Sequence, residues 1–198
     1  MSQMEIPLEE NWKAISAAKA ANVRTILNNA PAGDVPASAL SELDFLVVNE
    51  AEAKSLVELH ESSILAWRES NQRVLTLPVP HWATADGQGV FPHAARTSLV
   101  ALASMHHVTV IVTLGSQGAE LLCPDEGVWL RGPALEVDVV DTVGAGDAFV
   151  GAFAAMLAMG CPLVECMQRG LVAGSLACTV CGAQVRRLPS LRSRIALN

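Results

Sequence analysis

The residues with the clearest chemical potential are Asp141-Thr142-Val143-Gly144-Ala145-Gly146-Asp147, two acids and two glycines set between apolar runs. By length and pattern, Leu135 to Val140 reads as a strand and Ala148 to Met159 as a helix. Gly144, Ala145 and Gly146 therefore fall at a helix N-terminus. Backbone N–H groups without intrahelical partners, and the positive end of the helix dipole, favour an anion there. Side chains of no more than one carbon let phosphate oxygens reach those N–H groups. Asp147 falls in the first turn, beside the same anion. A carboxylate is costly next to phosphate unless it takes a proton during reaction, which suits the general base for a hydroxyl nucleophile. The bland alternative is an acid-favoured helix start after a tight turn, with no ligand.

The elements that must position these residues read as repeated βαβ units. A strand at the start precedes a helix over Leu8 to Ala21, a strand at Val23 to Leu27, a short helix near Ala37 to Ser41, a strand at Asp44 to Val48 and a helix over Ala51 to Leu59. A helix over about Ala94 to Met105 leads to a strand at Val108 to Val112. Ala119 to Leu122 and Gly127 to Leu130 then flank Pro124-Asp125-Glu126-Gly127, which has the residues of a hairpin turn. Strands alternating with helical lengths predict an α/β fold with a mostly parallel sheet, and ligands of such sheets gather beyond the carboxyl ends of the strands. Asn71 to Phe91, rich in Pro and Gly, reads as a loop.

Composition narrows the class. With 51% hydrophobic residues the chain can build a large core, and 13 basic against 20 acidic residues, a net charge of −7, argue against a nucleic-acid partner. Five scattered cysteines do not make a disulfide framework and suit a reducing, cytoplasmic compartment. Cys178-x-x-Cys181 is read as small residues of a buried helix, not a metal or redox pair. Ala148 to Val164 and Gly170 to Val185 are nearly free of charge, yet short of a comfortable membrane span; they are expected to be buried helices beside the sheet. His81, His93, His106 and His107 have no acidic partners at ligand spacing and are read as non-catalytic.

The heptapeptide resembles the second signature of the ribokinase-like (pfkB) family of carbohydrate and nucleoside kinases, and further segments follow in that family's order. Asn49-Glu50-Ala51-Glu52 resembles its Asn-x-x-Glu motif, and Thr113-Leu114-Gly115-Ser116-Gln117-Gly118 its nucleotide loop. Gln3-Met4-Glu5, the Ile26 to Ala32 segment with Val35-Pro36, and Cys181-Gly182-Ala183-Gln184 are similar to the ribokinase branch. The resemblance implies a three-layer sandwich with a mostly parallel central sheet, incomplete at the N-terminal side. Residues 1–198 are expected to form one partial kinase domain, with a divergent or inserted loop at about 62–92. The Gly-Gly sugar motif, lid and first strands of the family have no counterpart in the sequence. The 198-residue chain alone is accordingly expected to self-associate and to lack ribose kinase activity.

The implied reaction is in-line transfer of the γ-phosphoryl group of ATP to a sugar hydroxyl, with D-ribose to D-ribose 5-phosphate favoured. Asp147 would accept the hydroxyl proton, and the N–H groups of Gly144, Ala145 and Gly146 would stabilise the transferring group. Asn49, Thr113, Gly115, Gly118 and Gly146 would bind ATP, while Glu5 and Asp147 would contact the sugar. Glu52 would reach Mg²⁺ through water; taken alone, Asn49 with Glu52 reads first as a capping box without ligand. Asp141, Val143 and Gly182 match positions that coordinate a monovalent cation such as K⁺. Arg186 stands near where ribokinases often carry a small hydroxyl residue, which leaves potassium activation open. A fructokinase or nucleoside kinase, a homodimer as in intact family members, and a catalytically dead nucleotide-binding paralogue remain alternative readings.

Overall fold

A computed structural model describes residues 1–71 and 93–182, which form two compact units. The first unit holds a six-stranded sheet in sequential order: β1 (Ser2–Gln3), β2 (Ile26–Asn28), β3 (Phe45–Asn49), β4 (Thr109–Thr113), β5 (Ala119–Cys123) and β6 (Val128–Gly132). β1 to β4 run parallel, and β5 returns antiparallel to β4. The helices of this unit are α1 (Leu8–Ala20), α2 (Ala37–Leu40), α3 (Glu50–Leu59), α4 (Glu61–Ser70) and α5 (His93–His106). The α/β class with a mostly parallel sheet agrees with the sequence.

Strand alternation divides the core. Leu27, Leu46, Val48, Val110, Val112 and Leu122 share one cluster with Leu56, Ile64, Leu99 and Leu102 of the helices. The residues between them, Ile26, Phe45, Val47, Ile111 and Leu121, are buried as well. Burial on both faces is why these strands read as continuous apolar runs instead of alternating with polar residues. β1 is held by Asn11 of α1, fully buried, whose Nδ2 donates to the Gln3 carbonyl at 2.8 Å while Ser2 Oγ bonds its Oδ1. Arg96 and Glu120 form a buried ion pair at 2.5 Å, with Arg131 4.0 Å from the same carboxylate oxygen.

The second unit is built on α6 (Ala145–Ala158) and α7 (Leu163–Ala177). α6 ends in a Schellman motif: Gly160 adopts φ +77°, its N–H meets Leu157 O, and the Cys161 N–H meets Met156 O. Pro162 then opens α7 without losing a helical donor. The two helices pack closely because Gly170 and Gly174 lack side chains. A Cβ on Gly170 would lie 2.9 Å from the Phe149 ring, and one on Gly174 would lie 3.1 Å from the Ala145 carbonyl. Phe149 and Phe153 stack with centroids 6.3 Å apart. Among the described residues no helix is long and apolar enough to cross a membrane.

Three local expectations need correction. Leu135 to Val140 is not a strand: the Leu135 N–H goes to Ser175 Oγ and the Val140 N–H to Cys178 O, so α7 takes donors that a ladder would need. Strand β2 begins at Ile26, not Val23, which is 57% exposed. Cys178 and Cys181 do not lie in a buried helix. α7 stops at Ala177, Cys178 caps it half-buried, and Cys181 is exposed in the bend beyond. Helix α4 occupies Glu61–Ser70, part of the stretch read as divergent or inserted. The Asn71 to Phe91 loop, apart from Asn71 itself, lies outside the described residues, as do His81, the His93 side chain and Arg186.

Candidate functional site

In the first unit, two expected site residues meet at the carboxyl ends of adjacent strands. Asn49 closes β3, Thr113 closes β4, and the parallel register sets them side by side. Asn49 caps α3: its Oδ1 accepts the Glu52 N–H at 2.9 Å, and Glu52 Oε2 accepts the Asn49 N–H at 2.7 Å. This is the capping box that Asn-x-x-Glu spacing allows without any ligand. Glu52 is only 6% exposed, and burial raises its pKa above the usual 4.5 against the lowering bond from Asn49. The capping bond uses Oε2, which leaves Oε1 outside the box. Thr113 Oγ1 donates to Val48 O at 3.4 Å, and Gly115 follows at φ +56° with open space where a Cβ would stand. Glu5 is exposed just beyond β1, where Gln3 Nε2 donates to it at 2.9 Å. Among the described residues no hydrogen bond links Glu5 to Asn49, Glu52 or Thr113.

In the second unit, Gly144 is the N-cap of α6 at φ +80°, and no side chain caps the helix. Ala145, Gly146 and Asp147 are its first three residues. The Ala145 N–H turns back to Thr142 O at 3.2 Å. The next N–H groups have no carbonyl a turn earlier to meet. A Cβ on Gly146 would meet nothing within 4 Å, so the approach to this helix end is open, and Asp147 is exposed beside it. This helix end therefore keeps free the donors that a side chain at the N-cap would otherwise take.

Asp141 holds the entry to this helix. Its Oδ1 accepts the Val143 N–H at 3.0 Å and its Oδ2 the Gly182 N–H at 2.9 Å, and these bonds keep its pKa below the usual 3.8. Asp141, Val143 and Gly182, all predicted around a monovalent cation, are thereby gathered. Gly118 is fixed by space as well as by φ +96°: a Cβ there would stand 1.9 Å from the Gly132 carbonyl. Ser175 and Cys178, which anchor the segment leading to Asp141, were not singled out as site residues. A lone Ser in an apolar helix, and a backbone carbonyl, carry no sequence signal for this role.

Among the described residues no cluster of three or more His, Cys, Asp or Glu suits a metal ion. A divalent ion held by one carboxylate, water and substrate phosphates needs no such cluster, and Glu52 fits that mode. A carboxylate already disfavoured by burial gains most from a nearby cation.

Residues 3–191 match the family described as pfkB family carbohydrate kinase. The chain belongs to the pfkB family of carbohydrate kinases. The pfkB relatives include the ribokinase of Staphylococcus aureus, 28% identical over 185 residues, covering 93% of this chain and 51% of that protein. Among solved pfkB structures, Arabidopsis thaliana ribokinase complexed with ribose and ATP matches at TM-score 0.70 and 27% identity, covering 91% of this chain and 49% of that one. Escherichia coli phosphofructokinase-2 in complex with potassium matches at TM-score 0.65 and 25% identity, covering 93% and 51%. The chain spans about half the length of the curated relatives it matches.

Proposed function

We propose that the protein serves in transfer of the γ-phosphoryl group of ATP to a sugar hydroxyl, with D-ribose as the favoured acceptor. The observation that carries this reading is the uncapped N-terminus of α6, open at Gly146 and bearing Asp147 in its first turn. The N–H groups of Gly144, Ala145 and Gly146 lie where negative charge on a transferring phosphoryl group is stabilised, and Asp147 takes the proton of the attacking hydroxyl. Asn49, Thr113, Gly115 and Gly118 hold the nucleotide, and Glu5 contacts the sugar. Glu52 would hold Mg²⁺ through water, and the ion would supply positive charge against the phosphates. A monovalent cation at Asp141, Val143 and Gly182 adds charge near the same helix start.

Two relatives named ribokinase support ribose, whereas a phosphofructokinase neighbour keeps phosphorylated hexoses in play. The test is an ATP-consumption assay across D-ribose, 2-deoxyribose, fructose, fructose 6-phosphate and adenosine, run beside calorimetric titration of ATP. Turnover highest with ribose is the expected result. ATP binding with no turnover on any acceptor would place the protein among nucleotide-binding paralogues instead, and absence of ATP binding would end the kinase reading.

A further inference from the structure

We propose that Cys178 and Cys181 are a reversible disulfide site, and that closing it releases the backbone clasp on Asp141. The pair sits in the turn that grips this residue from both ends. The Cys178 carbonyl accepts the Val140 N–H at 2.8 Å and the Asp141 N–H at 3.2 Å, while the Gly182 N–H, next to Cys181, reaches Asp141 Oδ2 at 2.9 Å. Both thiols are free, Cys181 is exposed, and Cys178 is half-buried. Cys178 and Cys181 bracket the turn and bend that follow α7, three residues apart; a four-residue turn brings its end Cα atoms within about 7 Å, against the roughly 4.4–6.8 Å that a disulfide spans.

Reaction with a low-molecular-weight disulfide such as oxidised glutathione is balanced. The Cys181 thiolate attacks one glutathione sulfur, forms a mixed disulfide and expels one glutathione thiolate. The Cys178 thiolate then attacks the Cys181 sulfur and expels the second, and the two protein thiol protons end on the two reduced glutathiones. A pair of this kind stays reduced in a reducing compartment and closes under oxidative load.

Closure is incompatible with the present turn. Cys178 Sγ now points back along α7, donating to Gly174 O at 3.4 Å, while the Cys181 thiol faces solvent. Joining the two sulfurs turns Cys178 away from the helix and draws Cys181 toward it. The carbonyl of one and the N–H following the other then lose the spacing that three hydrogen bonds to residues 140 and 141 require. Through the Val143 N–H on Asp141 Oδ1, that loss extends to the residue before Gly144. On the kinase reading above, oxidation therefore weakens ATP binding.

The test treats the full chain with excess oxidised glutathione, maps disulfides by peptide mass spectrometry and follows amide hydrogen exchange. A Cys178–Cys181 cross-link is expected, with exchange at Val140, Asp141 and Gly182 faster by about tenfold or more, reversal by dithiothreitol, and neither change in Cys181→Ser. A mixed disulfide at Cys181 that Cys178 never resolves, or a cross-link that leaves those three amides protected, overturns the inference. Because exchange is read without nucleotide, failure of the reduced protein to bind ATP counts against the kinase reading alone.

Discussion

On the proposed kinase reading, Asp147 and Gly146 make separable contributions, and the separation is testable. Asp147→Asn keeps the shape but cannot accept a proton, so turnover of the active enzyme should drop by about two to four decades while ATP affinity holds. Near-normal turnover in that variant would remove Asp147 from the role of base. Gly146 is different, because a Cβ there meets no protein atom within 4 Å. Gly146→Val should leave the melting temperature almost unchanged and abolish ATP binding, by filling the space phosphate oxygens need. Calorimetry on the folded variant decides it, since retained affinity means the phosphate lies elsewhere. The Gly144 to Asp147 arrangement was legible in the sequence because small residues at the start of an apolar helix leave its first N–H groups uncovered, and residue type alone conveys that. The grip of Cys178 and Ser175 on the 135–141 segment was not legible, since it runs through a backbone carbonyl and a solitary hydroxyl.

Among elements, the pairing of α6 with α7 depends on glycine at Gly170 and Gly174, whereas Gly151 of α6 is not held to glycine by any neighbour. Gly170→Ala would press a methyl group to within 2.9 Å of the Phe149 ring, and such overpacking should cost about 1–3 kcal/mol in chemical denaturation. Gly151, exposed in α6, has open space where its Cβ would stand, so Gly151→Ala should stabilise by about 0.5–1 kcal/mol through helix propensity. Equal effects from the two would refute the packing account of Gly170. The contrast also bears on what a sequence conveys about elements. Runs such as Phe45 to Asn49 and Thr109 to Thr113 are apolar because both their faces are buried, and they read correctly as strands. Leu135 to Val140 has a similar apolar content, yet Leu135, Val139 and Val140 are about half or more exposed, at 48%, 63% and 63%. An apolar run predicts a strand only where neighbouring strands offer hydrogen bonds, and that partner is a tertiary fact. Helix α4 escaped for the opposite reason: with Ile64 as its one fully buried residue, it lacks a wide apolar stripe.

Over the whole molecule, stability should depend on pH through a histidine that no catalytic role requires. His106, at the end of α5, bonds Ser41 Oγ through Nδ1 at 2.8 Å, and its buried Nε2 has no hydrogen-bond partner among the described residues. His60 lies edge-on to it, with centroids 6.2 Å apart, and its Nε2–H donates to Val35 O at 2.9 Å. Protonating His106 would bury an unpaired N–H, and its pKa is lowered from 6.5 by burial first, then by repulsion from His60 and His107. The folded state then binds fewer protons than the unfolded chain, so this contribution is complete above pH 6.5 and is lost as pH falls through the lowered folded value. Glu52, raised from 4.5 by burial, acts in the opposite sense: its contribution is complete below 4.5 and declines as pH rises through the raised value. Asp141, lowered from 3.8, protects only above that pH and matters in stronger acid. His106→Gln removes the histidine's contribution and leaves those of the two carboxylates in place. Between about pH 7.5 and about pH 5.5, a window set by ordinary histidine titration, wild-type protein should lose more thermal stability than His106→Gln. Parallel melting profiles for the two proteins across that window would show that His106 titrates alike in the folded and unfolded chains.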